Sequence, residues 1–308
     1  MVKIYVPRRI VERNRWLRSD GKPNFKDRIY AKPPELEAIS NKKIPLLSMQ
    51  ATVINACEVM SSSGARLIPI TDPERRLLGI ITGMDLVDYF GGGIKYTIVQ
   101  KNYGGKVYSA LSASLREIAN TRPLVVDVKS KLSDLLNLMV SYGVGAVPVV
   151  SGDKVVGVVT EGELIKYLTS KIVGVKVSDV MSASIISLSY SNTLGIAMKL
   201  MVNLGIRRLP ITRDSDVIGI ITWRDIIDLF GKHKVFDMLK GYTFDEIHSL
   251  PVTEVMQTNI VTIEPDNDIG FAAAKMSEAG VDSLLVTKNG NTIGIITERD
   301  ILYGVVAR

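Results

Sequence analysis

Nearly the same seven residues stand four times in this chain, as GIITGMD (79–85), GVVTEGE (157–163), GIITWRD (219–225) and GIITERD (294–300). Successive phrase glycines are 78, 62 and 75 residues apart. Internal repetition on this scale constrains the fold more than any bulk property. Each unit is too short to bury its own apolar face and must stack on its neighbours.

The sequence upstream of each phrase aligns as well. A β-rich run opens each unit: IPLLSM (44–49), RPLVVDV (122–128), SIISLS (184–189) and NIVTIEP (259–265). A helical stretch with apolar spacing follows and ends near Met60, Met139, Met201 or Met276. A turn at Gly64, Gly143, Gly205 or Gly280 leads to a second strand (LIPIT, AVPVV, RLPIT, LLVT). A polar hairpin leads into the phrase, whose first residues form a third strand, and an amphipathic helix closes the unit. The order β-α-β-β-α makes this an α/β (α+β) chain of four units. The predicted divisions are 1–43, a basic extension; 44–121, repeat 1 with a connector; 122–182, repeat 2; 183–258, repeat 3 with a connector; and 259–308, repeat 4. Packing repeats 1/2 and 3/4 sheet to sheet would bury their Ile/Val faces. The connectors, starting at Gly91 and Gly231, are expected to carry short helices of their own.

Composition narrows the class. Apolar residues are 46% and aromatics only 6%, so the core must come from Ile, Val, Leu and Ala. Mean hydropathy is +0.19, yet no window holds the ~18 uninterrupted apolar residues of a membrane helix. The start, MVKIYVPRRIVERNR, carries charges where a secretory signal needs an apolar stretch. Cys57 is alone, which excludes an intrachain disulfide and suits a reducing cytoplasmic setting. Two His and one Cys argue against a zinc cage. Residues 1–43 hold 12 Lys+Arg against 5 Asp+Glu, so the net charge of +6 belongs to that segment and not to the repeats. There Arg residues interleave with Trp16, Phe25 and Tyr30, a pattern that serves either single-stranded nucleic acid or a strap packed on the repeats.

The phrase has two physical readings. Thr297 stands at a helix N-cap with Asp300 three residues on, the capping-box spacing, and the same holds for Thr82/Asp85, Thr160/Glu163 and Thr222/Asp225. A helix N-terminus is also an anion site, and Arg224 and Arg299 sit where capping has no use for a cation. Arg66, Arg207 and Arg208, just before the second strands, add further cations near the same end, either as phosphate donors or as a solvated turn. An acid one sugar length from a phosphate site can accept ribose hydroxyls. Together these features spell a nucleotide.

At this point the repeats resemble the CBS domain, whose pairs form Bateman modules. Four in one chain are similar to the γ subunit of AMP-activated kinase and to stand-alone archaeal four-CBS proteins. The resemblance covers 44–308. It implies adenosine ligands (AMP, ADP, ATP or S-adenosylmethionine) in clefts between paired repeats. It implies ribose contacts from Asp85, Asp225 and Asp300. Thr82, Thr222 and Thr297 would lie near phosphate, with Arg224, Arg299, Arg66, Arg207 and Arg208 as phosphate donors. Repeat 2 departs from the pattern: Glu163 replaces Asp, Gly162 replaces the cation and no Arg precedes Pro148, so a weak or empty site is expected there. Repeat 4 has Asp282 where repeats 1 and 3 carry Arg, which disfavours phosphate unless Arg207 or Arg208 crosses over. The repeat 3/4 pair is therefore expected to hold the better site.

FGGGIKY (90–96) lacks the Lys-Ser/Thr of a P-loop and reads as a flexible connector, and His233 and His248 read as packing residues. No HExxH, GxSxG or CxxC appears, so no catalytic site or catalytic cofactor is expected. The expected role is a non-catalytic, energy-sensing regulator, with a homodimer or a protein partner as further expectations. The alternatives are a nucleic-acid-associated regulator acting through residues 1–43, an S-adenosylmethionine sensor, and a scaffold whose sites serve only as caps.

Overall fold

The computed structural model describes residues 36–166, 169 and 172–306. The basic stretch with Trp16, Phe25 and Tyr30, and with it the nucleic-acid reading, lies outside the described residues.

Each repeat builds its predicted unit. The first helices (Val53–Ser63, Leu132–Tyr142, Leu194–Leu204 and Ile269–Ala279) all stop at a glycine with φ of 71, 64, 62 and 64°. This left-handed C-cap strains any residue with a Cβ, and it is why Gly64, Gly143, Gly205 and Gly280 recur. The second and third strands form antiparallel hairpins in every repeat. In repeats 2, 3 and 4 a first strand lies parallel to the second. These first strands are shorter than the sequence suggests, two residues each (Val126–Asp127, Leu188–Ser189, Thr262–Ile263), and repeat 1 has a single bridge, Leu47 to Ile70. They pair on one side only, so little of each apolar run is drawn into the ladder.

The repeats interlock in pairs. The segment before repeat 2 bridges the third strand of repeat 1 (Ile80–Asn120), and the segment before repeat 1 bridges that of repeat 2 (Asn41–Val158). Repeats 3 and 4 exchange segments in the same way, through Ile220–Gln257 and Ser182–Ile295. This exchange explains the phrase glycine. A Cβ on Gly79 would lie 2.9 Å from the Asn120 carbonyl, on Gly219 2.9 Å from that of Gln257, and on Gly294 3.0 Å from that of Ser182. Residues 36–41, within the segment read as a basic extension, thus form a short helix and a single bridge to repeat 2, with Leu36 fully buried. Leu67 and Ile80 of repeat 1 bury with Val158 of repeat 2 across the facing sheets.

The larger cores run the other way. Helices of repeat 1 pack on those of repeat 3, joining Met60, Leu86 and Phe90 with Met198, Ile227 and Phe230. Repeat 2 packs on repeat 4 in the same manner, joining Leu135, Met139 and Leu164 with Met276, Ile301 and Leu302. Phe90 stacks on Phe230 with ring centroids 4.0 Å apart. Sheets therefore join 1 to 2 and 3 to 4, while helices join 1 to 3 and 2 to 4. The connectors carry the expected helices (Tyr96–Tyr103 and Val107–Leu111, Val235–Met238 and Phe244–Ser249).

FGGGIKY is not a flexible connector. Gly91, at φ 133°, and Gly92 are buried at the repeat 1/3 contact. A Cβ on Gly91 would lie 2.0 Å from Nε2 of His248, and one on Gly92 would lie 2.8 Å from the Met198 carbonyl. The glycines give close approach between packed elements.

Candidate functional site

The closing helices start as the capping reading expects. In repeat 1 the Thr82 N–H donates to Oδ2 of Asp85 at 2.9 Å, and the Asp85 N–H returns a bond to the Thr82 hydroxyl at 3.2 Å. Thr160/Glu163, Thr222/Asp225 and Thr297/Asp300 repeat the exchange. Each threonine hydroxyl also donates to its own acid. The N–H of the first helical residue is used too. Gly83, Glu161, Trp223 and Glu298 donate to the carbonyls of Arg66, Gly145, Arg207 and Asp282, at 3.2, 3.0, 2.9 and 3.3 Å. Two of the first three N–H groups of each helix are thus satisfied internally. Thr82, Thr222 and Thr297 have committed their hydroxyl protons to the cap, so these hydroxyls have no proton to offer a phosphate.

Those cations converge from different repeats. Arg66, Gly145, Arg207 and Asp282 hold equivalent positions before the four second strands, and the packing brings them to one centre. Glu161 is fully buried and accepts from Nη2 of Arg207 and Nε of Arg299, both at 2.6 Å. Arg66 reaches across to Glu298, with its other nitrogen 3.6 Å from Asp282. Arg208 pairs with Asp282 at 2.8 Å. The crossing from repeat 3 that Asp282 required is therefore present. Gly145 makes room for this, because a Cβ there would lie 2.6 Å from Glu161 Oε2 and 2.9 Å from Arg207 Nη1. Burial alone would raise the Glu161 pKa, but the Arg299 and Arg207 guanidiniums override it and hold the carboxyl down to about 2. Asp282 is likewise held well below the usual carboxylate range, with Arg208 and Arg66 outweighing its burial.

A cavity of about 170 Å³ opens onto this centre between repeats 1 and 2. Thr82, Gly83 and Asp85 line one part, Leu67, Ile80, Leu124, Val144 and Ala146 give apolar walls, and Arg66, Arg207 and Arg299 supply cations. Four of the predicted phosphate residues, Thr82, Arg66, Arg207 and Arg299, are therefore brought together with Asp85, in the pair the sequence made the weaker one. The reason is that repeat 2 contributes glycine at 143 and 145, while repeats 1, 3 and 4 contribute the arginines.

The other predicted residues lie apart from this cavity. Arg224 donates to the Gly64 carbonyl at 3.1 Å, just as Arg299 donates to that of Gly143 at 3.1 Å, so both cap a first helix of the opposite pair. Arg224 also lies over the Trp223 ring at 5.2 Å. Asp225 accepts from Gln257 Nε2 at 2.9 Å, and burial pushes its pKa up. Asp300 is buried in the repeat 4 cap, and Glu163 lies 4.0 Å from Lys166.

Two cations, one on Asp85 and one on the cavity wall, escaped the sequence. Lys95 Nζ donates to Asp85 Oδ1 at 2.6 Å and to the Ile118 carbonyl at 2.7 Å, so Asp85 already has a cation. It lies ten residues beyond Asp85, in a Gly-rich run that gives no local sign of the contact. Arg122, at the start of repeat 2, is exposed, lines the cavity and makes no ion pair with the described residues.

A family model for the CBS domain matches residues 36–92, 115–170, 177–232 and 245–307. The chain is 31% identical over 260 residues to an uncharacterized 33.4 kDa protein in the ribosomal RNA operon of Thermofilum pendens, covering 84% of this chain and 87% of that one. It is 27% identical to uncharacterized protein MJ1225 of Methanocaldococcus jannaschii, over 87% of this chain and 97% of that one. The crystal structure of MJ1225, described as a proposed archaeal homolog of g-AMPK, superposes with a TM-score of 0.82 at 26% identity, covering 87% and 99% of the two chains. An uncharacterized conserved protein from Pyrococcus horikoshii shares the fold, at a TM-score of 0.57 and 20% identity over 89% of this chain and all of that one.

Proposed function

The chain belongs to the CBS-domain family, and we propose that it is a non-catalytic regulator that senses an adenine nucleotide in the cleft between repeats 1 and 2. One observation carries this reading: Asp85 and the guanidiniums of Arg66, Arg207 and Arg299 line a single cavity with apolar walls. The base lies among Leu67, Ile80, Val144 and Ala146, Asp85 accepts from the ribose, and the arginines take the phosphate. The similarity to MJ1225 over most of both chains supports a γ-subunit-like sensing role. S-adenosylmethionine fits less well, because its sulfonium cation would sit among guanidinium groups.

Sensing requires that the ligand favour one arrangement of the repeats over another. The cavity meets that need, because Arg66, Arg207 and Arg299 come from repeats 1, 3 and 4 while Gly143 and Gly145 come from repeat 2. Calorimetric titration of AMP, ADP, ATP and S-adenosylmethionine into wild type and Asp85→Ala tests the reading. Saturable nucleotide binding, weakened at least about tenfold by the substitution, is the expected result. Nucleotide binding indifferent to Asp85, or S-adenosylmethionine binding in its place, would contradict it.

A further inference from the structure

Three of the four arginines that line the cavity already hold an internal carboxylate, the exposed Arg122 being the exception. Arg207 and Arg299 share Glu161, and Arg66 holds Glu298. Glu161 and Glu298 are the first residues of the closing helices of repeats 2 and 4, while repeats 1 and 3 have Gly83 and Trp223 there. These acids present paired oxygens to guanidinium donors, as a phosphate does. We propose that Glu161 and Glu298 are built-in competitors for the ligand's phosphates, and that they make the site select a nucleoside monophosphate over a triphosphate. The inference rests on the nucleotide reading of the same cavity.

Charge and donor supply both set the limit. The part-buried ring holds four guanidiniums (Arg66, Arg207, Arg208, Arg299) against three carboxylates (Glu161, Asp282, Glu298), a surplus of one positive charge. A monophosphate brings a charge of about −2 near neutral pH and roughly reverses that surplus. Each further phosphoryl group adds negative charge beside these acids, of which Glu161 has no water to retreat into. Glu161 has no exposed surface, so ejecting it from its two partners strands a buried charge. The ring does have room for one more acceptor. Arg207 gives Glu161 only one of its five donors. One phosphate can share these groups with Glu161 in place, whereas a chain of three must displace it. Arg122 is exposed and adds a screened charge that offsets little of this.

The test is a comparison of adenosine, AMP and ATP dissociation constants, without divalent metal, for wild type, Glu161→Gln and Glu298→Gln. Wild type is expected to bind AMP at least about tenfold more tightly than ATP. Glu161→Gln is expected to shrink that ratio about tenfold by tightening ATP, and to leave adenosine unchanged. Wild type that binds ATP as tightly as AMP overturns the inference, and so does a ratio unmoved in a folded Glu161→Gln protein. If Glu161→Gln does not fold by circular dichroism, the wild-type ratio and Glu298→Gln decide. Adenosine binding that depends on Asp85, together with a ratio near one, sinks only the monophosphate selection. Failure of every ligand to bind sinks the nucleotide reading and this inference together.

Discussion

Position 79 tolerates a hydrogen and nothing larger, because the Asn120 carbonyl of the exchanged segment lies 2.9 Å from where a Cβ would be. Gly79→Ala is expected to cost about 1–3 kcal/mol, read as a lowered midpoint in urea unfolding. No loss would mean that the segment before repeat 2 does not lie against the third strand. The phrase glycine was plain in the sequence, but its cause was not, since the residue it makes room for belongs to another unit. Gly145 and Glu161 were illegible for the same reason, since the Arg207 they face belongs to another repeat. The capping threonines were legible, because Thr and its acid meet within one turn. The structure gives their hydroxyls to the cap. Thr82→Val should therefore cost about 1 kcal/mol of stability and leave AMP affinity within about twofold of wild type. Thermal unfolding and calorimetry check the two halves, and a large loss of affinity in a stable variant would return Thr82 to the phosphate site.

Among the elements, the first helices, their glycine stops and the hairpins could be read directly, because apolar period and left-handed glycines are local signals. Which faces meet could not. The sequence offered sheet-to-sheet pairs, and these exist through Leu67, Ile80 and Val158. The deeper cores form between helices of repeats 1 and 3 and of repeats 2 and 4, since an apolar helix face does not name its partner. Phe230, fully buried against Phe90 and Phe244, is central to the repeat 1/3 contact. Phe230→Ala is expected to cost about 3–5 kcal/mol in denaturant unfolding. A cost below about 1 kcal/mol would show that the stack closes up or that the two repeats hold together by other contacts.

Across the whole molecule, the ring of ion pairs ties the two sheet-joined pairs together at the point where the cavity opens. Glu161 belongs to repeat 2, and its partners Arg207 and Arg299 belong to repeats 3 and 4. Its folded pKa, about 2, lies below its ordinary value of 4.5. A depressed carboxylate contributes stability that is present above the unfolded pKa and is lost as pH falls through the folded one. The contribution should thus be complete above about pH 4.5 and fade towards pH 2. Melting temperatures across this range should show that loss in wild type, and a Glu161→Gln curve should lack the component. Parallel curves would mean that the pair adds nothing to the union of the repeats.

The proposed function requires one nucleotide to be held jointly by repeats from both pairs. A crystal structure of the AMP complex tests it most directly. The expected result is a ribose on Asp85, with the phosphate in hydrogen-bond reach of Arg66, Arg207 or Arg299. A nucleotide bound elsewhere, with Asp85 and these arginines holding only their present partners, would contradict it.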